Sequence, residues 1–198
     1  MKNEVEATFS DINIADMRLK LVSVGATMVL PERIMRRVVI DYPDKRLQNT
    51  GKSWVRIRDE GNKVTLTYKE TVEHDLSSIK EIEVEVSDYK KTIEIMLAMG
   101  LVIHADQETK RETWILNNTE IVIDQWPWLP PLIEIEGETE SSIKMVAKKL
   151  GLDWKDALFG SVIVAYEKHY PKVENIGIKI SSEPKITLNS AKPSWLIV

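Results

Sequence analysis

The chain has 198 residues, 43% hydrophobic and 29% charged, with a formal net charge of −4 and no cysteine. This is one ordinary domain, or one domain with an appendage, and it holds enough apolar material for a core. The acidic balance argues against a general nucleic-acid surface, and the lack of cysteine removes disulfides, thiolate chemistry and zinc–cysteine sites. No apolar run approaches the roughly 18 residues of a membrane helix. With no secretory signal in MKNEVEATF either, a soluble cytoplasmic protein is expected.

In chain order, residues 2–9 read as a strand. Residues 13–24 place Ile14, Met17, Leu21 and Val24 at helical spacing, with Gly25 as a stop. Residues 32–42 form a strand ended by Pro43, followed by turn chemistry in PDKRLQNTGKS. Strands at 53–60 and 63–70 flank Gly61-Asn62, a two-residue hairpin signal. A strand at 79–87 leads into a helix of about three turns, with Ser87 and Asp88 as N-cap candidates and Gly100 at its end. Strands at 101–117 and 119–126 meet at Asn117-Asn118. WPWLPP is rigid loop, and 132–138 is the last clear strand. Helices are expected at about 140–150, ended by Gly151, and over roughly 154–169, ended by Pro171. Residues 171–198 lack periodicity. The expected division is therefore a domain over 1–170 and an extension of open role over 171–198.

The strands share one peculiarity. Glu4 and Glu6, Arg56 and Arg58, the series Glu81, Glu83 and Glu85, and the pair Glu134 and Glu136 are each spaced two apart among apolar residues. Residues two apart on a strand point to the same face, so each segment has an apolar face and a face of like charge. Such faces are unfavourable unless opposite charge lies between them, in the form of another strand, a metal or a polyanion. In a sandwich the charged faces would be solvent-facing; in a closed barrel they would line a wet interior.

An ordered set of segments resembles the CYTH superfamily, the triphosphate tunnel metalloenzymes, over about residues 2–170. The set is Glu4-x-Glu6, then D-Y-P followed by G-K-S-W-V-R-I-R, Lys69 ending the next strand, E-V-E-V before a helix, K-R-E-T-W, I-V-I-D and the late E-I-E. The superfamily includes thiamine-triphosphatases, inorganic triphosphatases and class IV adenylyl cyclases. The resemblance implies an α+β fold, an antiparallel eight-stranded β-barrel or tunnel with charged side chains inside and helices packed outside. It also implies a triphosphate- or polyphosphate-containing substrate and a requirement for Mg²⁺ or Mn²⁺.

On that resemblance Glu4, Glu6, Glu134 and Glu136 hold one or two hard divalent cations, with Asp124 of IVIDQW contributing to the metal or phosphate site. Arg56, Arg58, Lys69 and Arg111 clamp the phosphates. Glu4, Glu6, Arg56, Arg58 and Lys69 form the catalytic set. Glu85 is the phosphate-side acid, and Glu83 shares its face. Lys110 is counted with the substrate-binding cations, although alternation turns it away from Arg111. The alternative is a structural network pairing these cations with the glutamates, which desolvation makes an unattractive use of so many charges. His74, His104 and His169 show no metal-ligand spacing. Trp126 and Trp128 either pack or line a tunnel mouth.

The match fails in two places. The family's E-x-E-x-K reads Glu4-Val5-Glu6-Ala7-Thr8, with an uncharged threonine for the lysine, and Pro130 stands where a glycine is common. The expected function is metal-dependent hydrolysis of inorganic triphosphate, thiamine triphosphate or a nucleoside triphosphate. The alternatives are a class IV-type adenylyl cyclase, a non-catalytic polyphosphate- or nucleotide-binding module, and an interaction domain that uses residues 171–198. Monomer and homodimer both remain open.

Overall fold

The computed structural model describes residues 2–71 and 79–197, apart from the side chains of residues 2–4 and 79. His74 lies outside the described residues. The strands are β1 (Lys2–Glu4), β2 (Glu6–Ser10), β3 (Thr27–Asp41), β4 (Ser53–Asp59), β5 (Val64–Thr71), β6 (Ile79–Val86), β7 (Val102–Leu116), β8 (Thr119–Gln125), β9 (Leu132–Glu136) and β10 (Lys185–Ile186). The helices are α1 (Ile14–Ser23), α2 (Arg46–Gly51), α3 (Tyr89–Ala98), α4 (Glu140–Lys149), α5 (Ile163–His169) and α6 (Ile176–Ser182).

The strands run in the order β1-β6-β5-β4-β3-β7-β8-β9-β2, all neighbours antiparallel. The two ends of that order are two halves of one segment. β1 pairs with β6, β2 pairs with β9, and only Val5 separates them. The sheet therefore curls until its ends meet on the N-terminal strand. Counting that strand once gives the expected eight-stranded antiparallel barrel. The long central pair, β3 and β7, slips register around Leu30 to Arg33. Pro31 falls in that interval, where a residue without an N–H is tolerated because the ladder is already broken.

Burial fixes which way each strand faces. Ala7 and Phe9 of β2, Trp114 and Leu116 of β7, Ile121 and Ile123 of β8, and Ile133 and Ile135 of β9 form one aliphatic cluster with Met17 and Leu21 of α1 and Ile143, Val146, Ala147 and Leu150 of α4. These odd positions of β2, β8 and β9 lie on the outer face, so the even positions turn inward. Both helices are held by caps: Asn13 accepts from the Asp16 N–H, and Thr139 and Ser142 form a capping box. A smaller cluster of Val38, Ile40, Ile57 and Leu101 lies under Ile93 and Met96 of α3.

The sequence reading departs from the structure mainly at two elements. The stretch 46–51, read as turn, forms the short helix α2. Asp41 organises it, accepting from the Leu47 and Gln48 N–H groups. The single helix expected over 154–169 is instead a 3-10 turn at Trp154–Asp156, an extended link and then α5. Leu158 in the link makes a two-way backbone bridge to Thr8, and Gly160 has φ +104, which a helix does not accommodate. Beyond it, α5, α6 and β10 build a third cluster around Tyr166, Ile176, Ile180 and Ile186, against Trp126, Trp128 and Trp195. The Tyr166 and Tyr170 hydroxyls donate to the carbonyls of Pro127 and Trp128. β10 joins the flank of β7 at Asp106 and Gln107, beyond the stretch that β8 covers.

Candidate functional site

The curled sheet encloses a cavity of about 710 Å³. Its wall is charged, as the inward parity requires. Arg56, Arg58, Lys69 and Arg111 line it, as do Glu6, Glu134 and Glu136. Glu81 and Glu83 line it too, and it holds cations that the sequence did not single out, Arg33 and Arg37 on β3. Residues 160–163 and 180–181 of the C-terminal segment close part of the boundary.

The carboxylates stand in a row. Glu6 is the direct partner of Glu136, and Glu136 is in turn the partner of Glu120 on β8. All three face the cavity. Glu120 went unnoticed because TEIVIDQ carries no like-charge pair to mark it; only the register brings it to Glu136. Three adjacent carboxylates on one face repel one another, an arrangement that favours a cation. Glu4 is paired in register with Ile79, and its side chain lies outside the description.

Next along the same strands, Thr8 opposes Glu134, and Val122 opposes Glu134 from the other side. Thr8 is buried and its backbone is tied to Leu158, so the missing lysine is replaced by a short side chain in a covered position. Glu134 is held by Arg111 at 2.8 Å. Arg111 also forks onto both oxygens of Asp124, at 2.7 and 2.5 Å. Burial works against the Arg111 charge, but Asp124 and Glu134 outweigh it and hold the guanidinium well above its ordinary range. Burial, then the Asp124 charge, pushes the Glu134 carboxyl up, and Arg111 only partly offsets this.

Asp124, expected at the metal or phosphate site, sits behind Arg111. It is only 1% exposed and lies off the cavity wall, with both carboxylate oxygens on Arg111. Two other residues counted with the substrate-binding set lie off the main cavity wall. Lys110 points outward and pairs with Glu32 at 2.9 Å, because adjacent strand residues face opposite ways. Glu85 lines a shallow pocket beside the β4–β5 turn with Asp59 and Lys63, while Glu81 and Glu83 occupy the main cavity.

The opposite wall pairs cations with acids. Arg56 lies 3.6 Å from Glu83, Lys69 3.5 Å from Glu81, and Arg58 2.5 Å from Glu60. Thr67 donates to Glu83 at 2.9 Å. Burial raises the Glu83 carboxyl, but the Thr67 hydroxyl and the charges of Arg56, Arg58 and Lys63 bring it below its usual value. His104, read as ordinary, lines the cavity with its ring nitrogen 2.9 Å from the Tyr42 carbonyl. The two tryptophans of WPW divide: Trp126 lines the cavity, whereas Trp128 stacks edge-on with Trp195 and donates to the Ser190 carbonyl.

The family model for the CYTH domain matches residues 2–155. The chain belongs to the CYTH domain family. The match ends where the C-terminal cluster begins, so the CYTH portion supplies the charged wall and later residues supply part of its closure. No curated protein matches the sequence. Among solved structures, the chain is similar to a conserved hypothetical protein from Pyrococcus furiosus, with 26% identity and a TM-score of 0.64, covering 78% of this chain and 94% of that one. It is similar in fold to a candidate adenylate cyclase from Vibrio parahaemolyticus, at 11% identity and a TM-score of 0.71, covering 84% and 98%. A candidate adenylyl cyclase from Hippeastrum with a dominant triphosphatase activity also shares the fold, at 14% identity and a TM-score of 0.58, covering 84% and 96%. No helix among the described residues is long and apolar enough to cross a membrane.

Proposed function

We propose that this CYTH protein binds a triphosphate in its charged cavity and hydrolyses it with the help of a divalent cation. The observation that carries the reading is the two-sided wall: Arg56, Arg58, Lys69 and Arg111 on the same cavity as the carboxylate row Glu6, Glu136 and Glu120. A purely structural ion-pair network gains little from such burial, whereas a polyanion placed between the cations uses it. The triphosphatase activity of the Hippeastrum protein points the same way.

The chemistry of the donor set fits a hard divalent cation such as Mg²⁺ or Mn²⁺. Among the described residues no three acid or histidine side chains form a closed cage. Mg²⁺ commonly takes one or two carboxylates, substrate phosphates and water, and Glu6 and Glu136 would supply those carboxylates. Bound there, the cation would neutralise phosphate charge. The chain's own residues do the rest. Arg56 and Arg58 offer planar forks to phosphate oxygens, Lys69 adds a point charge, and Asp124 keeps Arg111 aimed at the cavity. Phosphoryl transfer asks mainly for positioning and charge stabilisation, which a wall of this kind provides.

One observation favours a second reading, a binding module without turnover. Thr8 sits opposite Glu134 in the covered position where the family carries a lysine. The test is phosphate release from tripolyphosphate with Mg²⁺ and then Mn²⁺, beside Glu6→Gln and Thr8→Lys. Metal-dependent release that Glu6→Gln abolishes is the expected result. Tight binding with no release, converted to release by Thr8→Lys, would replace hydrolysis with binding alone. Cyclic AMP formed from ATP in place of phosphate release would move the assignment to the cyclases.

A further inference from the structure

Arg37 and Trp126 meet on the cavity wall with hydrogen-bonding capacity left over. The Arg37 guanidinium carbon lies 3.8 Å from the centroid of the Trp126 ring. Its Nε donates to the Gln107 side-chain oxygen at 3.0 Å. Arg37 Nη2 and Trp126 Nε1 are both buried, and among the described residues neither has an acceptor. Leaving a buried donor unmet is costly, and more so when it is charged. Such a group in a cavity wall calls for an explanation.

The surroundings narrow what would meet it. Arg33, Arg56, Arg58 and Arg111 each have a carboxylate partner. Among the described residues Arg37 has none within ion-pair distance. Burial, then the charges of Arg56 and Arg58, push Arg37 down to about 9, and it still carries its charge at neutral pH. Neither an indole N–H nor a guanidinium can accept a hydrogen bond, so the missing partner is an acceptor. Water would satisfy the two donors, but only an anion would also offset the Arg37 charge. Trp126 directly follows the end of β8, six residues beyond Glu120, roughly 20 Å of extended chain. The pair is thus well separated along the strand from the carboxylate row.

We propose that Arg37 and Trp126 form an anion subsite for a terminal phosphate of the substrate chain, each donating an N–H to its oxygens. The subsite rests on the triphosphate reading above. It would place on β3 a cation that β2, with Thr8, does not provide.

The test uses the full chain, isotope-labelled on nitrogen, with Mg²⁺ and diimidotriphosphate, a tripolyphosphate analogue whose N–H bridges resist hydrolysis. Trp126→Phe keeps a ring over Arg37, removes the donor and assigns the Trp126 indole signal. Two results are expected: the Trp126 indole proton moves downfield on titration, and calorimetry shows binding weakened about 10-fold or more in Trp126→Phe, as for loss of a hydrogen bond to a charged group. The inference alone falls if the native protein binds the analogue and Arg56→Gln loses it, while Trp126→Phe binds equally well and the indole signal stays still. A native protein that binds no analogue sinks both the subsite and the triphosphate reading. Should Trp126→Phe fail to fold, Arg37→Gln takes its place in the calorimetry: binding about 10-fold weaker supports the subsite, and equal binding overturns it.

Discussion

The two walls of the cavity are built differently. The carboxylate wall, formed by β2, β8 and β9, is backed by α1 and α4 through fully buried Ala7, Ile121, Ile133, Ile135, Ile143 and Leu150. The wall of β4, β5 and β6, with its arginines and Lys69, has a thinner cover. Ile82 and Val84 on β6 are 57% and 53% exposed on their outer side. Dense packing resists displacement, whereas an open sheet face yields. The carboxylates of β2, β8 and β9 are therefore held by the core. The cations of β4 and β5 are held chiefly by their own ion pairs, for which a polyanion bound as proposed would compete.

The largest expected effect comes from the thinly covered wall. Arg56→Gln should lower tripolyphosphate turnover about 100- to 1000-fold, the usual loss for one preorganised charge-stabilising donor, as measured by phosphate release. A much smaller loss would mean that the phosphate chain does not run along this wall. Next is Asp124→Asn, which leaves Arg111 with a weakened partner in a buried place. It should destabilise the fold by about 3 kcal/mol, read from denaturant midpoints. An unchanged midpoint would show that Glu134 alone holds Arg111.

A paired substitution then sharpens the contrast in backing. Ile135→Ala should cost about 2–5 kcal/mol, and Val84→Ala under about 0.5 kcal/mol. Equal costs would remove the distinction between a packed wall and an open one. The smallest effect is a pH dependence. The Glu83 carboxyl sits below its ordinary 4.5 in the folded state, so its contribution to stability is present above 4.5 and lost as pH falls through the lowered folded value. Glu83→Gln should flatten the acid side of the melting-temperature profile below about pH 4.5, with little change in shape above it. An identical acid limb would show that its partners are too well solvated to matter.

Much of the barrel was legible because alternation is a local signal. LIEIEGE, WVRIRDE and EIEVEV each declare a charged and an apolar face, and Gly61-Asn62 and Asn117-Asn118 mark the β4–β5 and β7–β8 turns. What alternation leaves undetermined is register. Arg36 and Arg37 are adjacent and cannot be ranked from sequence; only the pairing of Arg37 with Arg58 and Gln107 puts it inside. Glu120 is likewise placed by its pairing with Glu136. Parity did separate Lys110 from Arg111, and the outward salt bridge with Glu32 agrees with it. The C-terminal cluster was illegible for a different reason. Its residues Ile176, Ile180 and Ile186 meet Tyr166 and Trp126 across loops with no period of their own.

The division of the N-terminal strand at Val5 has a consequence for how the chain assembles. The first ten residues leave the ribosome before any of their partners, yet Glu6 can pair with Glu136 only after 130 more residues have been made (136 − 6). Closure of such distant contacts is slow, because chain entropy is spent before the contacts form. Until the seam closes, β2 and then β9 each present an open edge to any other strand in reach. The seam that completes the ring is thus also the place where a nascent chain is most open to pairing with the wrong partner.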